Sequence, residues 1–287
     1  MNTFKQKLCD NEFVITVELL PPKGTNISVL LEKAQMLKGV ADAINVTDNQ
    51  RASMRLGSLA VCRLLKERGH EPVLQMTCRD RNRIALQSDL LSASALGIEN
   101  ILILSGDHPR NGENKGAKPV YDLDPVQLIA AARLLEQGAD MAGKKLDGIP
   151  CFNIGAVVNP ASENADLQLM MMEKKAAAGA VFFQTQPVFD VGQYRIFADR
   201  AKHLPVKIIP GVALLKSAAF VNFLRGIPGI TIPDEVARRM EAAPDQLKEG
   251  ITICAETIRE LKKISHGVHI MAIGMEAHIP EILSKIA

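Results

Sequence analysis

Two acids stand in settings that suit chemistry. Glu18 follows Val17 and precedes Leu19-Leu20-Pro21-Pro22, so an ionisable group interrupts an apolar run. An acid held in apolar surroundings keeps its proton near neutrality, as a general acid must. A solvated strand-end carboxylate or a buried ion pair fits the same spacing, and both readings stand at this level. Asp107 lies in Leu104-Ser105-Gly106-Asp107-His108-Pro109. There Gly106 permits close backbone approach to a ligand and Asp107 can project beside it, although a turn or helix-capping aspartate has the same signature. Around these acids the chain offers amides and hydroxyls: Thr47-Asp48-Asn49-Gln50, Gln75 and Thr77, Ser105, Asn159, and Gln184-Thr185-Gln186. Polarity at any one of these positions is ordinary, but polarity at all of them is not.

No nucleophile or metal cluster competes with that set. The five cysteines (Cys9, Cys62, Cys78, Cys151, Cys254) are scattered and contain no Cys-x-x-Cys pair, which argues against disulfides and against zinc or iron–sulfur ligation. His108 reads as a loop residue, the other histidines show no ligand spacing, and no metal is expected. Gly138 to Lys144 fits the start of a phosphate-binding loop, but Lys145 occupies the Ser/Thr position and a helix precedes it. Met170-Met171-Met172 lies in a helical pattern and reads as packing.

The polar residues require elements that bring them together. Strands are expected over about 13–18, 43–47, 72–77, 100–104, 152–157, 180–185, 206–210 and 267–272. Helices are expected near 28–37, 53–68, 81–96, 125–137, 165–178, 191–202 and 279–286, with a Gly-, Asn-, Lys- and Pro-rich loop over about 106–123. Strands alternating with helices imply a parallel sheet, because each return needs a crossover. Eight such units in 287 residues match the α/β class and a (β/α)8 TIM barrel, a fold of roughly 250 residues, here as a single domain over 1–287. A doubly wound open sheet is the alternative, but no Gly-x-Gly-x-x-Gly follows the first strand. In a barrel the strand ends converge on one mouth, and the polar set lies at strand ends.

Composition narrows the class. With 47% hydrophobic and 23% charged residues the chain is an ordinary globular one. A net charge of +2 predicts no nucleic-acid surface. The opening residues carry no apolar run before Phe13, and no stretch nears the roughly 20 apolar residues of a membrane span, so a cytoplasmic protein is expected. Aromatic residues are scarce: no Trp, 2 Tyr and 9 Phe, which leaves the core to aliphatics and 11 Met.

The residues also spell a family. Val17-Glu18-Leu19-Leu20-Pro21-Pro22-Lys23-Gly24 resembles the Glu-aromatic-aromatic-Pro-Pro opening of methylenetetrahydrofolate reductases. Further tags follow in the same order: Val46-Thr47, Met76-Thr77-Cys78, Gly106-Asp107, Ala165-Asp166-Leu167, Lys175, Ala178-Gly179-Ala180, Thr185-Gln186 and Phe189-Asp190. Ile209-Pro210-Gly211, Ile227 through Pro233 and Gly267-Val268-His269 complete the series.

The resemblance implies a barrel with noncovalent FAD that reduces 5,10-methylenetetrahydrofolate to 5-methyltetrahydrofolate. Glu18 would protonate N10 to open the five-membered ring, and hydride from reduced FAD would reach the resulting iminium carbon. Asp107 would contact the pterin beside the flavin and favour the cation. Gln186 would hydrogen-bond the pterin, with Phe189 and Phe220 among the few rings left to flank the substrate. Thr47, Gln75, Thr77, Ser105, Gly106, Asp107, Tyr121, Asn159, Asp166 and Lys175 fall where the family holds FAD, Lys175 toward the diphosphate. Departures from the best-known bacterial branch are Gln75 for His, Ser105 for Arg, Met275 for a substrate-binding Arg, and Leu19-Leu20 for the aromatic pair. They leave the electron donor open between NAD(P)H and a partner electron-transfer subunit. They resemble the short reductases of acetogen-type metabolism, and an oligomer or heteromeric complex is expected.

Overall fold

The computed structural model describes residues 3–227 and 229–286. Eight parallel strands, β1 (Val14–Leu19), β2 (Ala43–Val46), β3 (Pro72–Thr77), β4 (Asn100–Leu104), β5 (Asn153–Val158), β6 (Phe182–Pro187), β7 (Lys207–Ala213) and β8 (Gly267–Met271), follow one another around a closed barrel. The seam closes where Val14 pairs with Gly267 and Thr16 with His269. The expected α/β barrel is therefore the observed one.

Helix α1 (Phe4–Cys9) precedes β1, and α2 (Ser28–Met36), α3 (Ser58–Glu67), α4 (Arg83–Ala95), α5 (Pro125–Glu136), α6 (Ala165–Ala178) and α7 (Val191–Arg200) alternate with the strands. Between β7 and β8 run α8 (Ala218–Arg225), α9 (Asp234–Ala242) and α10 (Gln246–Lys262), and α11 (Ile279–Ser284) follows β8. The sequence reading had neither α1 nor α8 to α10. It also began β6 early: after α6 the N–H groups of Gly179 and Ala180 close back onto the Lys175 and Ala176 carbonyls, so the inter-strand hydrogen bonds begin only at Val181 and the strand at Phe182.

Period-2 alternation divides each strand between two cores. Val17, Leu19, Ile44, Val46, Leu74 and Phe183 face outward into one apolar layer with Ala34, Leu65, Leu90, Leu128 and Ile258 of the helices. Val14, Ala43, Val73, Leu102, Phe182 and Ile209 face inward near the start of the strands, where Phe4 and Leu8 of α1 plug the barrel. Phe4 meets Phe182 edge-on, with ring centroids 5.4 Å apart, and its full burial contributes about 1.5–3 kcal/mol. Space for the Phe182 ring comes from Gly155 beside it, where a Cβ would stand 2.2 Å from Cζ. One level above the plug the interior turns polar, with Thr16, Asn45, Gln184 and His269 all buried.

Candidate active site

Glu18 is the next inward residue above Thr16 on β1. Its flanking Val17 and Leu19 point the other way, into the helical layer, so the apolar setting suggested by the sequence is not the one the carboxylate meets. Its side chain is 15% exposed and faces nitrogen donors instead. Gln50 Nε2 donates to Oε1 at 3.2 Å, and Gln75 Nε2 donates to Oε2 at 3.4 Å. His269 Nε2 of β8 lies 3.8 Å from Oε2.

Gln50 reaches Glu18 because the segment after β2 is sharply folded. Asn49, Arg51 and Ala52 all take left-handed φ values, +48°, +57° and +52°. The same turn sends the Arg51 guanidinium over the Phe223 ring, 5.6 Å from its centroid. Phe223 stacks on Phe220 at 6.0 Å, and Phe220 packs with Phe189 against the small apolar cluster of α8 to α10. Phe189 and Phe220 are thus tied, through Arg51, to the loop that carries Gln50.

Asp48 is engaged within the barrel wall. It is buried, accepts from the Thr77 backbone N–H at 2.8 Å and Oγ1 at 3.0 Å, and pairs with Arg81, so it locks the β2 end to the β3 end. Arg79, which the sequence reading passed over, is the main pin of the mouth. Its side chain is buried and donates to both Asp80 oxygens at 2.7 Å, to the Asn49 carbonyl at 3.1 Å and to the Asp107 carbonyl at 3.3 Å. Burial opposes its charge most strongly, but the bonds and charge of Asp80 more than offset that and raise its pKa. Asp80 is held low in return: burial works against its charge, and the Arg79 contact outweighs it.

Around this pin, Ser105 and Asp107 are exposed, and Gly106 has φ +84°. A Cβ on Gly106 would lie 3.0 Å from Thr77 Cβ and 3.1 Å from Arg79 Cβ. Tyr121, exposed, donates its hydroxyl to the Gly106 carbonyl at 3.0 Å; burial, then the Asp107 and Asp80 charges, raise its pKa against the opposing effect of Arg79. Thr47 is buried, with a hydroxyl that has no hydrogen-bond partner. On β6 the pairing to β7 shifts between Gln184 and Pro187, a bulge that leaves Gln186 exposed at the strand end. Asn159 spends its amide on the Gly229 carbonyl and the Ala161 N–H.

Two proposed cofactor residues are engaged elsewhere. Asp166, 86% exposed, pairs with Arg200 of α7 at 2.5 Å. Lys175 donates to the Val157 carbonyl at 2.7 Å, and burial lowers its pKa. Among the described residues no group of three or more His, Cys, Asp or Glu is placed to hold a metal ion, and no helix is long and apolar enough to cross a membrane.

The family description "Methylenetetrahydrofolate reductase" matches residues 3–287. The chain belongs to the methylenetetrahydrofolate reductase family. Among relatives, 5,10-methylenetetrahydrofolate reductase of Pectobacterium carotovorum subsp. carotovorum is 28% identical over 87% of this chain and 80% of its own length. The probable methylenetetrahydrofolate reductase (NADPH) of Caenorhabditis elegans is 23% identical over 94% of this chain, which spans only 42% of that longer protein. A Clostridium thermocellum protein described as binding two copies of 5-methyl-5,6,7,8-tetrahydrofolic acid shares the fold, with a TM-score of 0.66, 15% identity, and coverage of 98% of this chain and 97% of its own. This chain carries Glu18 near the end of β1 and the Gly106-Asp107 pair after β4.

Proposed function

We propose that this chain reduces 5,10-methylenetetrahydrofolate to 5-methyltetrahydrofolate, using noncovalent FAD. The observation that carries the reading is Glu18: an inward carboxyl at the barrel mouth, oriented by side chains from the β2 loop, β3 and β8. Residues at the mouth fit a flavin. The buried Thr47 hydroxyl lacks a partner, and Gly106 leaves a cradle that a side chain would fill. Gln75, Thr77, Ser105, Asp107 and Tyr121 complete the wall. Asn159 and Asp166 lie at the β5–α6 connection, and Lys175, in the last turn of α6, would exchange the Val157 carbonyl for a phosphate oxygen.

Bound FAD, once reduced by the electron donor, would supply the hydride. The chain supplies the proton and the charge: Glu18 holds a proton toward N10 of the folate, and its transfer breaks the bond from N10 to the bridging carbon. Asp107 places negative charge beside the cation so formed, which stabilises charge where it develops. Gln186 orients the pterin by hydrogen bonds, with Phe189 and Phe220 as its apolar flank.

The electron donor we assign to a partner electron-transfer subunit in a heteromeric complex, on the strength of Gln75, Ser105 and Met275; NADPH, in the name of the nematode relative, is the alternative. All five cysteines are free, as in a reducing cytoplasm. Purified protein incubated with FAD should turn yellow and bleach on anaerobic addition of 5-methyltetrahydrofolate. Protein that stays colourless sinks the proposal. NADH and NADPH should leave the isolated flavin oxidised, and rapid bleaching by either would remove the partner subunit.

A further inference from the structure

Beneath Glu18 the barrel interior holds a chain of hydrogen bonds that runs between residues far apart in sequence. Asn45 Nδ2 donates to Gln184 Oε1 at 2.7 Å, and Gln184 Nε2 donates back to Asn45 Oδ1 at 3.2 Å, so each amide fixes the other's orientation. Gln184 Nε2 also reaches Thr16 Oγ1 at 3.2 Å. Thr16 Oγ1 is 2.9 Å from His269 Nδ1 and 3.4 Å from the Val268 carbonyl. A hydroxyl has one proton to give, and 3.4 Å is long for an O–H···O bond. The proton therefore goes to Nδ1, which leaves the imidazole proton on Nε2, 3.8 Å from Glu18 Oε2. All four residues are buried, so water cannot substitute for a missing partner.

The geometry points to His269 as the positioning residue for Glu18: a neutral imidazole, held as the Nε2–H tautomer by the Asn45–Gln184–Thr16 chain, that steadies the carboxylate as its proton leaves. The assignment rests on the reductase reading above. In the step concerned the Glu18 O–H bond breaks, the N10–H bond forms, and the bond from N10 to the bridging carbon opens. His269 keeps its proton throughout. At 3.8 Å its N–H is short of a hydrogen bond to the acid, and it closes on the anion, so the contact strengthens as the reaction proceeds. Oε2 faces Gln75 and His269, while Oε1 accepts from Gln50 Nε2 at 3.2 Å.

Two measurements test this separately. Two-bond 1H–15N spectra of histidine-labelled protein, with His269 identified by its contact to the Thr16 methyl, should show the Nε2–H tautomer at neutral pH. In Thr16→Val that single tautomer should be lost. An Nδ1–H tautomer or an imidazolium in the wild type, or an unchanged tautomer in Thr16→Val, overturns the assignment without any folate turnover. In the second measurement, dithionite-reduced flavoprotein is mixed anaerobically with 5,10-methylenetetrahydrofolate. His269→Leu should slow flavin oxidation about 10- to 100-fold, the worth of one hydrogen bond to a charged group, with KM unchanged. His269→Gln, which keeps a donor near the Nε2 position, should retain most of the rate. A His269→Leu rate equal to wild type refutes the role. Wild-type flavin that folate fails to oxidise defeats the reductase reading, and the tautomer result stands apart from it.

Discussion

Replacing Glu18 by Gln keeps the shape of the side chain and removes only its acid–base function. The structural cost is small and can be set out contact by contact. The carboxylate accepts from Gln50 at 3.2 Å and from Gln75 at 3.4 Å. A Gln offers one oxygen and one NH2 group, so one neighbouring amide keeps its acceptor and the other must turn over its own carbonyl. Both bonds are long, and the side chain is 15% exposed. A charge-assisted hydrogen bond contributes about 1.5–3 kcal/mol when well made, and here about 1 kcal/mol is expected, a Tm loss of about 2–4 °C for a domain of this size. The catalytic cost is much larger. Loss of a general acid slows its step roughly 10²- to 10⁴-fold, or about 3–5 kcal/mol of barrier. Anaerobic stopped-flow absorbance separates the two halves of turnover. Dithionite should reduce the variant's flavin fully, while its oxidation by 5,10-methylenetetrahydrofolate should fall by that factor. Oxidation within roughly tenfold of wild type, a barrier change of about 1.4 kcal/mol, would take proton delivery away from Glu18.

Four other outcomes are expected. Gly106→Ala should cost about 1–2 kcal/mol for a left-handed residue with a side chain, and should weaken FAD binding as well, because its Cβ would press on Thr77 and Arg79; unchanged melting and flavin titration would refute the cradle. Phe4→Ala should destabilise the fold by about 3–5 kcal/mol by emptying the barrel plug, checked by urea unfolding. A thiol reagent should modify the exposed Cys9 and Cys151 quickly in native protein. Cys78 and Cys254, whose thiols burial pushes up to about 12, and buried Cys62, shifted in the same direction, should react only on unfolding. Burial, followed by nearby Lys and Arg charges, lowers the pKa of His70 and His266. The unfolded chain then binds more protons than the folded one below about pH 6.5, so stability should fall as pH drops through that region. The His70→Gln/His266→Gln double variant should show a flatter Tm between about pH 7 and pH 5.

The barrel was legible in the sequence because its strands are short apolar runs and its helices separate them regularly. What lay outside that rhythm was missed. Helix α1 is six residues long and precedes the first strand, and α8 to α10 break the pattern of one helix per strand. At the site, the ends of β1, β3 and β4 were placed correctly, and Glu18, Gln75 and Gly106 lie there. The roles of their neighbours were harder to read. Asp48 belongs to the same polar set in sequence, yet its Oδ2 is used by Thr77 and Arg81. Gln184 was counted with the strand end but lies inside the barrel, because alternation on β6 sends it the same way as Phe182. His269 has no ligand spacing, and its meeting with Thr16 spans 253 positions in sequence. Closure of β8 on β1 makes that contact, and only a three-dimensional register shows it.

The polar layer changes how the scarcity of aromatic residues is understood. Few rings remain to enclose an acid at this mouth, and Leu19, at one of the positions where the resemblance expects an aromatic, points outward into the helical layer. Amides take up the task of holding Glu18. Fixed dipoles need no reorganisation when the charge on an acid changes, whereas water must turn. Such a layer works only when complete, since each amide satisfies another and a single apolar replacement leaves a buried donor or acceptor stranded. Asn45 and Gln184 exchange bonds with each other, so a change at one destabilises unless the other changes too. Thr16 and His269 hang on that pair, and Glu18 sits above His269 with its hydrogen bonds from Gln50 and Gln75. The Glu18 carboxylate thus rests between a buried polar layer below it and the Gln50 and Gln75 amides beside it.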